Sequence, residues 1–234
     1  MRYSSQVPIS PALRTVLESA ARLQQVVPDA VLVGGSAAAL YAGHRLSFDH
    51  DHVLADLSER YESVLEAVEA TEGWATSVRA SKPPMTLMGS LGGIQAGLRQ
   101  LRRERPLETC VVDLGDGLTV VAPTVAETLR VKAYLVVQRR AVRDFLDVVA
   151  LTDHIGLAPA VEVLGAIDAY YLDRSGEVGS VLTSLVLALA EPSPRDPAVL
   201  ADLPRYRELG ERWHDWAEVA RACQELALRL SGAA

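Results

Sequence analysis

Two aspartates two residues apart, Asp49 and Asp51, follow a Gly34-Gly35-Ser36 run, the first of them thirteen residues after Ser36. On an extended chain alternate side chains share a face, so both carboxylates leave it about 7 Å apart. Carboxylates that close repel unless a cation lies between them, and hard oxygen donors suit Mg²⁺ bridging a nucleotide's phosphates. Two glycines and a serine opening a helix let backbone N–H groups approach a phosphate closely, where the helix end favours negative charge. Each piece alone also fits a tight turn or a solvated strand face. In succession they point to a nucleoside triphosphate site formed by Gly34, Gly35, Ser36, Asp49 and Asp51. His50 and His52 alternate with the aspartates and should point the other way, with no further ligands nearby for zinc.

A second group of residues lies later in the chain. Of the 23 basic residues only Lys82 and Lys132 are lysines. A lysine presents a compact charge suited to a single phosphate oxygen, whereas arginine forks across two. Lys132 is therefore a candidate phosphate contact, or else an ordinary exposed helix residue. Arg140, Arg143, Asp144 and Asp147 follow at i, i+3, i+4 and i+7, opposite Phe145, Val148, Val149 and Leu151. The pairs Arg140 with Asp144 and Arg143 with Asp147 would solubilise that face; alternatively one aspartate acts as a base or orients Lys132. Arg99, Arg102, Arg103 and Arg105, with only Glu104 against them, form a basic cluster. It would hold a nucleic-acid backbone or simply solvate a strand end, and it lacks the interleaved aromatics of a base-stacking platform.

The elements that must position these groups can be read from pattern. Ser10-Pro11 caps a helix running to about Gln25. A strand over 30–33 breaks at the glycines and gives way to a helix over 37–41. Alternation from Arg45 to Leu54 predicts one strand, with Leu46, Phe48, His50 and His52 on one side and Ser47, Asp49, Asp51 and Val53 on the other. A helix is expected over 58–70, a glycine-rich turn over 89–93, and strands over 94–101, 109–114 and 118–121, with Asp116-Gly117 turning the last hairpin. Thr124 and Glu127 form a capping-box pattern for a helix to about Gln138, followed by another over 141–152. Beyond Gly156 the pattern is helical, with a proline-rich break over 192–197 and a final helix from about Leu209 to Leu230.

At 234 residues and 49% hydrophobic content the chain can bury a substantial core, which excludes general disorder. The net charge of −7 argues against a surface that clings to nucleic acid throughout, while allowing a local basic patch. No apolar stretch approaches a membrane span and the first ten residues lack a signal pattern, so a cytoplasmic protein with no membrane partner is expected. Cys110 and Cys223 read as free thiols. The glycine run fits neither the dinucleotide fingerprint nor the Walker loop, and there is no G-x-S-x-G elbow.

Val31-Leu-Val-Gly-Gly-Ser-Ala-Ala-Ala-Leu40 followed by Gly43-His-Arg-Leu-Ser-Phe-Asp-His-Asp-His52 resembles the opening of the AbiEii / MenT group of nucleotidyltransferase toxins. Val120-Val-Ala-Pro-Thr-Val-Ala-Glu-Thr-Leu-Arg-Val-Lys-Ala133 and Arg143-Asp-Phe-Leu-Asp-Val-Val-Ala-Leu151 are similar to that family's lysine and Arg/Lys-Asp-x-x-Asp segments. The resemblance spans about residues 30 to 155. It implies an α+β fold: a DNA polymerase β-like core with a mixed sheet over 1–121, and a helical part over 122–234 that completes the active site.

The resemblance also implies an enzyme in which Asp49 and Asp51 hold Mg²⁺, or Mn²⁺. Gly35 and Ser36 would seat the NTP, with Lys132 and Asp144 completing the site. The implied acceptor is the 3′ end of tRNA, whose extension blocks aminoacylation, and a cognate antitoxin is the implied partner. Polymerase β-like enzymes usually add a third carboxylate from a later strand. The matching stretch 93–101 here has no acid, which leaves Asp113 on the next strand, or Asp144, as its substitute and Asp147 as a further participant. The alternatives are a small-molecule acceptor and a catalytically silent nucleotidyltransferase-like binding protein. Phosphorylation of Ser36 would place extra negative charge where the triphosphate binds and exclude it.

Overall fold

Ser10 Oγ accepts from Leu13 N at 3.3 Å and Pro11 occupies the first turn, so the first helix, α1, runs Pro11–Val26 as its cap predicts. The computed structural model describes residues 2–4, 9–172 and 179–232, and they form two compact units, Met1–Thr124 and Val125–Ala234.

In the first unit β2 (Val31–Val33) passes directly into α2 (Gly34–Ala42), and the chain returns as β3 (Asp49–Leu54). With α3 (Tyr61–Glu69), β4 (Trp74–Thr76), β5 (Thr86–Leu91) and β6 (Ile94–Gln100), this builds a five-stranded sheet ordered β2-β3-β6-β5-β4. Only the β3–β6 pairing is parallel, so the sheet is mixed. A three-stranded sheet joins β1 (Arg2–Ser4), β7 (Thr109–Gly115) and β8 (Leu118–Pro123). Asp116 and Gly117, both at positive φ, make the β7–β8 turn. One apolar cluster packs Leu17, Leu32 and Leu40 against Val112 and Val120; another gathers Leu54, Leu57, Val64, Leu87 and Leu98.

Two expectations for this unit need correction. The strand begins at Asp49 rather than Arg45: Arg45, Leu46 and Ser47 are all buried and Phe48 is 58% exposed, so no alternation exists there. Gly43, in the left-handed region, ends α2, and the following loop folds back against Gly35, which sets burial by loop packing instead of pleat. Strands β4 and β5 were not expected, and β5 runs into the predicted glycine turn. Gly89 is within β5, because a Cβ there would lie 2.5 Å from Trp74 Cζ2; it makes room for an indole. The turn itself uses only Gly92 and Gly93.

The second unit is helical: α4 (Val125–Arg139), α5 (Val142–Ile155), α6 (Leu157–Gly165), then Val181–Ala190 and Trp216–Gly232. The expected final helix starts later than Leu209, after a short 3₁₀ turn at Glu211–His214. Both cysteines are free and buried, and burial pushes the Cys223 thiol up to about 12. Among the described residues no single helix is long and apolar enough to cross a membrane.

Candidate nucleotide and metal site

The β2–α2 junction is shaped by its two glycines. Gly34 has φ +78°, which L residues rarely adopt, and a Cβ on it would lie 3.4 Å from Asp51 Oδ2. A Cβ on Gly35 would fall 2.5 Å from Ser47 Oγ and 3.0 Å from Arg45 Nη2. Arg45 and Ser47 are thus part of the site's wall, which pattern reading missed because their loop was taken as strand. The N-cap residue Val33 supplies no side-chain bond to the start of α2, so its first-turn N–H groups are the donors this junction presents to an anion.

Ser36 departs from the expected role. It is fully buried and its hydroxyl donates to the Asp49 carbonyl at 2.5 Å. The hydroxyl braces the carboxylate strand instead of facing a triphosphate, and a kinase would have to open the core to reach it.

Asp49 and Asp51 do share one face of β3. Asp49 is exposed and its Oδ1 accepts from Ser47 Oγ at 2.8 Å. Asp51 keeps 27% of its side chain exposed and its Oδ1 accepts from Arg99 Nε at 3.2 Å. Behind them His50 and His52 are buried, edge to face with ring centroids 5.3 Å apart. His50 Nε2 lies 3.0 Å from Ser19 Oγ. Burial drives the His50 imidazole down to about 4, with Asp49 opposing part of the shift. Burial, then His50, hold His52 well below its ordinary value. These are neutral rings on the dry side of the strand.

Among the described residues no acid stands at the third-carboxylate position on β6. β6 pairs with β3 so that Gln95 lies beside Asp49, Gly97 beside Asp51 and Arg99 beside Val53. Asp113 is no substitute. It stands on the three-stranded sheet, exposed, with Oδ1 accepting from Gly115 N at 2.8 Å, where it shapes the β7–β8 hairpin.

The arginine cluster is likewise not one basic surface. Arg99 faces Asp51; Arg103 is buried and donates to the carbonyls of Arg105 and Pro106; Arg105 lies 3.9 Å from Glu108. Arg102 is exposed.

A divalent cation fits this site only with help. Among the described residues no group of three or more His, Cys, Asp or Glu is arranged to hold a metal. Asp49 and Asp51 nevertheless offer hard, solvent-reachable oxygens beside the glycine turn. Mg²⁺ commonly takes one or two carboxylates and completes its shell with water and substrate phosphates.

The second unit holds Lys132, Asp144 and Asp147, and the expected pairings are exchanged. Lys132 Nζ meets Asp147 Oδ2 at 2.6 Å, with both side chains buried. Asp144, also buried, is gripped by Arg139 through Nε at 2.5 Å and Nη2 at 2.6 Å. Arg140 lies between the helices at φ 49° and Arg143 is exposed, so neither i,i+4 pair forms. The stripe read as solvated is split: its aspartates Asp144 and Asp147 are core, while Arg143 stays exposed and Arg140 half-buried. A buried pair went unnoticed as well: Glu127 and Arg130, 2.9 Å apart, with Arg130 3.8 Å over the Tyr170 ring. Their i,i+3 spacing was the available signal.

Taken together, the five-stranded mixed sheet and the glycine turn facing a carboxylate strand have the form of the nucleotidyltransferase fold. The structure resembles MenT4, a nucleotidyltransferase toxin from Mycobacterium tuberculosis, with a TM-score of 0.59 and 17% identity over 94% of this chain and 82% of that one. JHP933 from Helicobacter pylori superposes with a TM-score of 0.50 and 17% identity, covering 96% of this chain and 94% of its own. The expected fold is thereby met. No family model matches the chain.

By sequence the chain is similar to part of much longer proteins. The heme uptake protein MmpL11 of Mycobacterium tuberculosis is 28% identical over 237 residues, which is 97% of this chain and 24% of that protein. The mycolic acid-containing lipids exporter MmpL11 of Mycolicibacterium smegmatis is 35% identical over 131 residues, 56% of this chain and 13% of its own. The chain thus spans about a quarter of the length of the first of these relatives, and less of the second.

Proposed function

We propose that this protein is a Mg²⁺-dependent nucleotidyltransferase that moves NMP from an NTP to the 3′ end of tRNA, acting in the cytoplasm as a toxin restrained by an antitoxin. The observation that carries the reading is the coupling of turn to strand: Gly34 faces Asp51, and Ser36 is bonded to the Asp49 carbonyl. A phosphate seated on the α2 N–H groups would lie beside two cation-binding carboxylates. Asp49 and Asp51 would hold the ion, kept in place by Ser47 and Arg99 respectively. Bound there, a divalent ion would offset charge on the phosphates during transfer. The acceptor hydroxyl gives up its proton to water as its oxygen attacks the α-phosphorus, the bond to the bridging oxygen breaks, and pyrophosphate leaves. Mn²⁺ is expected to replace Mg²⁺. Arg102 and Arg105 are the arginines offered to an RNA backbone.

The test is incubation with labelled NTPs, Mg²⁺ and total tRNA, with Asp49→Ala/Asp51→Ala as control. Label at the tRNA 3′ end that the control lacks supports the reading. Absence of label with every NTP refutes it, and label on a small molecule would move the acceptor.

A second reading is favoured by the match of nearly the whole chain to a quarter of a heme uptake protein. There the unit would be a silent nucleotide-binding module that serves a transporter. Nucleotide binding without transfer to any acceptor would support it.

A further inference from the structure

The face of the five-stranded sheet that carries Asp49 and Asp51 shows an unusual charge arrangement. Across from the pair, β6 presents Gln95, Gly97 and Arg99, and their partners on β5 are Ser90, Met88 and Thr86. No acid stands in either row. Gly97 is where an acid would lie beside Asp51, and a Cβ there would come 2.4 Å from Asp51 Oδ1 and 2.9 Å from Met88 Sδ. Asp51 leans into the space a side chain would need. The lean brings its Oδ1 to the guanidinium of Arg99, two positions further along β6. Because β6 is bonded to β3 on one side and β5 on the other, the backbone carrying Arg99 is fixed.

We propose that the Arg99 guanidinium fills the place of a second cation at Asp51, so that the carboxylate pair takes a single divalent ion together with a nucleoside triphosphate. The proposal rests on the nucleotidyltransferase reading above and refines its metal requirement. Two-metal phosphoryl-transfer sites set carboxylates against two divalent ions. Here two carboxylates face one guanidinium, leaving one net negative charge, enough to attract one divalent ion. A second ion would sit beside a fixed positive charge with no third carboxylate to offset it. Arg99 and Asp51 are both partly exposed, so their pairing does little for stability. Its consequence is electrostatic: the guanidinium does not dissociate, cannot be chelated and needs no ion from solution.

Counting bound ions tests this without measuring turnover. The full chain is dialysed to equilibrium against Mn²⁺ and a non-hydrolysable NTP analogue, with bound Mn²⁺ and bound analogue counted separately. The expected result is one Mn²⁺ per chain in the wild type, two in Arg99→Glu, and loss of the bound ion in Asp49→Ala/Asp51→Ala. Two ions in the wild type overturn the proposal and leave the nucleotidyltransferase reading standing. One ion in a folded Arg99→Glu also overturns it. Neither ion nor analogue bound removes the reading beneath it. If Arg99→Glu does not fold, the wild-type count alone decides.

Discussion

Lys132 Nζ stands 2.6 Å from Asp147 Oδ2, and neither side chain is more than 3% exposed. An ion pair this deep is stable only while both partners are present. Removing one leaves a buried charge and costs about 3–5 kcal/mol, whereas replacing both with apolar groups of similar volume is often neutral. Lys132→Met is therefore expected to lower the denaturant midpoint sharply, and Lys132→Met/Asp147→Leu to restore most of it. If Lys132 also contacts substrate, the restored double variant will remain inactive in the labelling assay, which separates the two roles.

Gly97→Ala should separate site geometry from stability. The added methyl collides with two movable side-chain ends, Asp51 Oδ1 and Met88 Sδ, so the sheet can persist while the carboxylate swings away. Thermal unfolding should change by less than about 1–3 kcal/mol. Mn²⁺ affinity should fall at least tenfold by equilibrium dialysis. An unchanged Mn²⁺ affinity would show that Asp51 in its observed position is not a ligand.

The buried His50 makes stability pH dependent. Its imidazole titrates near 6.5 when the chain is unfolded and at about 4 when folded. The unfolded state therefore binds the extra proton first as the pH falls. Stability is complete above about pH 6.5 and is lost progressively toward pH 4, by about 3 kcal/mol for this group. His52, shifted in the same direction, adds to the slope. Urea titrations at pH 7 and 4.5 should show the loss in wild type and a shallower one in His50→Leu. Equal slopes would mean that His50 is not the source.

Four arginines that look alike in sequence should behave differently. Arg103→Ala removes a buried side chain whose Nε holds the Arg105 carbonyl at 2.8 Å, and is expected to cost about 1–3 kcal/mol. Arg102→Ala should stay within about 0.5 kcal/mol. If the exposed pair serves RNA, Arg102→Ala/Arg105→Ala should reduce the salt slope of tRNA binding by about 2, measured by filter binding at several salt concentrations.

How far the sequence revealed the molecule can be judged from particular positions. α1, β2 and the β7–β8 hairpin were readable because a cap, an apolar run and an Asp-Gly pair are local signals. The shared face of Asp49 and Asp51 followed from strand period alone. Gly89 and Gly97 misled or stayed silent, since each is glycine on account of a distant neighbour, Trp74 in one case and Asp51 in the other. Lys132 stood out by composition, and one aspartate of the next helix was offered to orient it, but not which one. Period places Asp144 and Asp147 on one helical stripe, and only the packing of α4 against α5 assigns Asp144 to Arg139 and Asp147 to Lys132.

The bond from Ser36 Oγ to the Asp49 carbonyl has a consequence for how this protein can vary. Its acceptor is main chain, present whatever residue stands at 49. A lost hydroxyl at 36 therefore has no remedy through exchange at 49, unlike an ion pair that can be inverted or replaced as a unit. Position 36 is bound to a small hydroxyl residue by the course of a neighbouring backbone, and the latitude for change in this site lies instead at 99, where one side chain answers another.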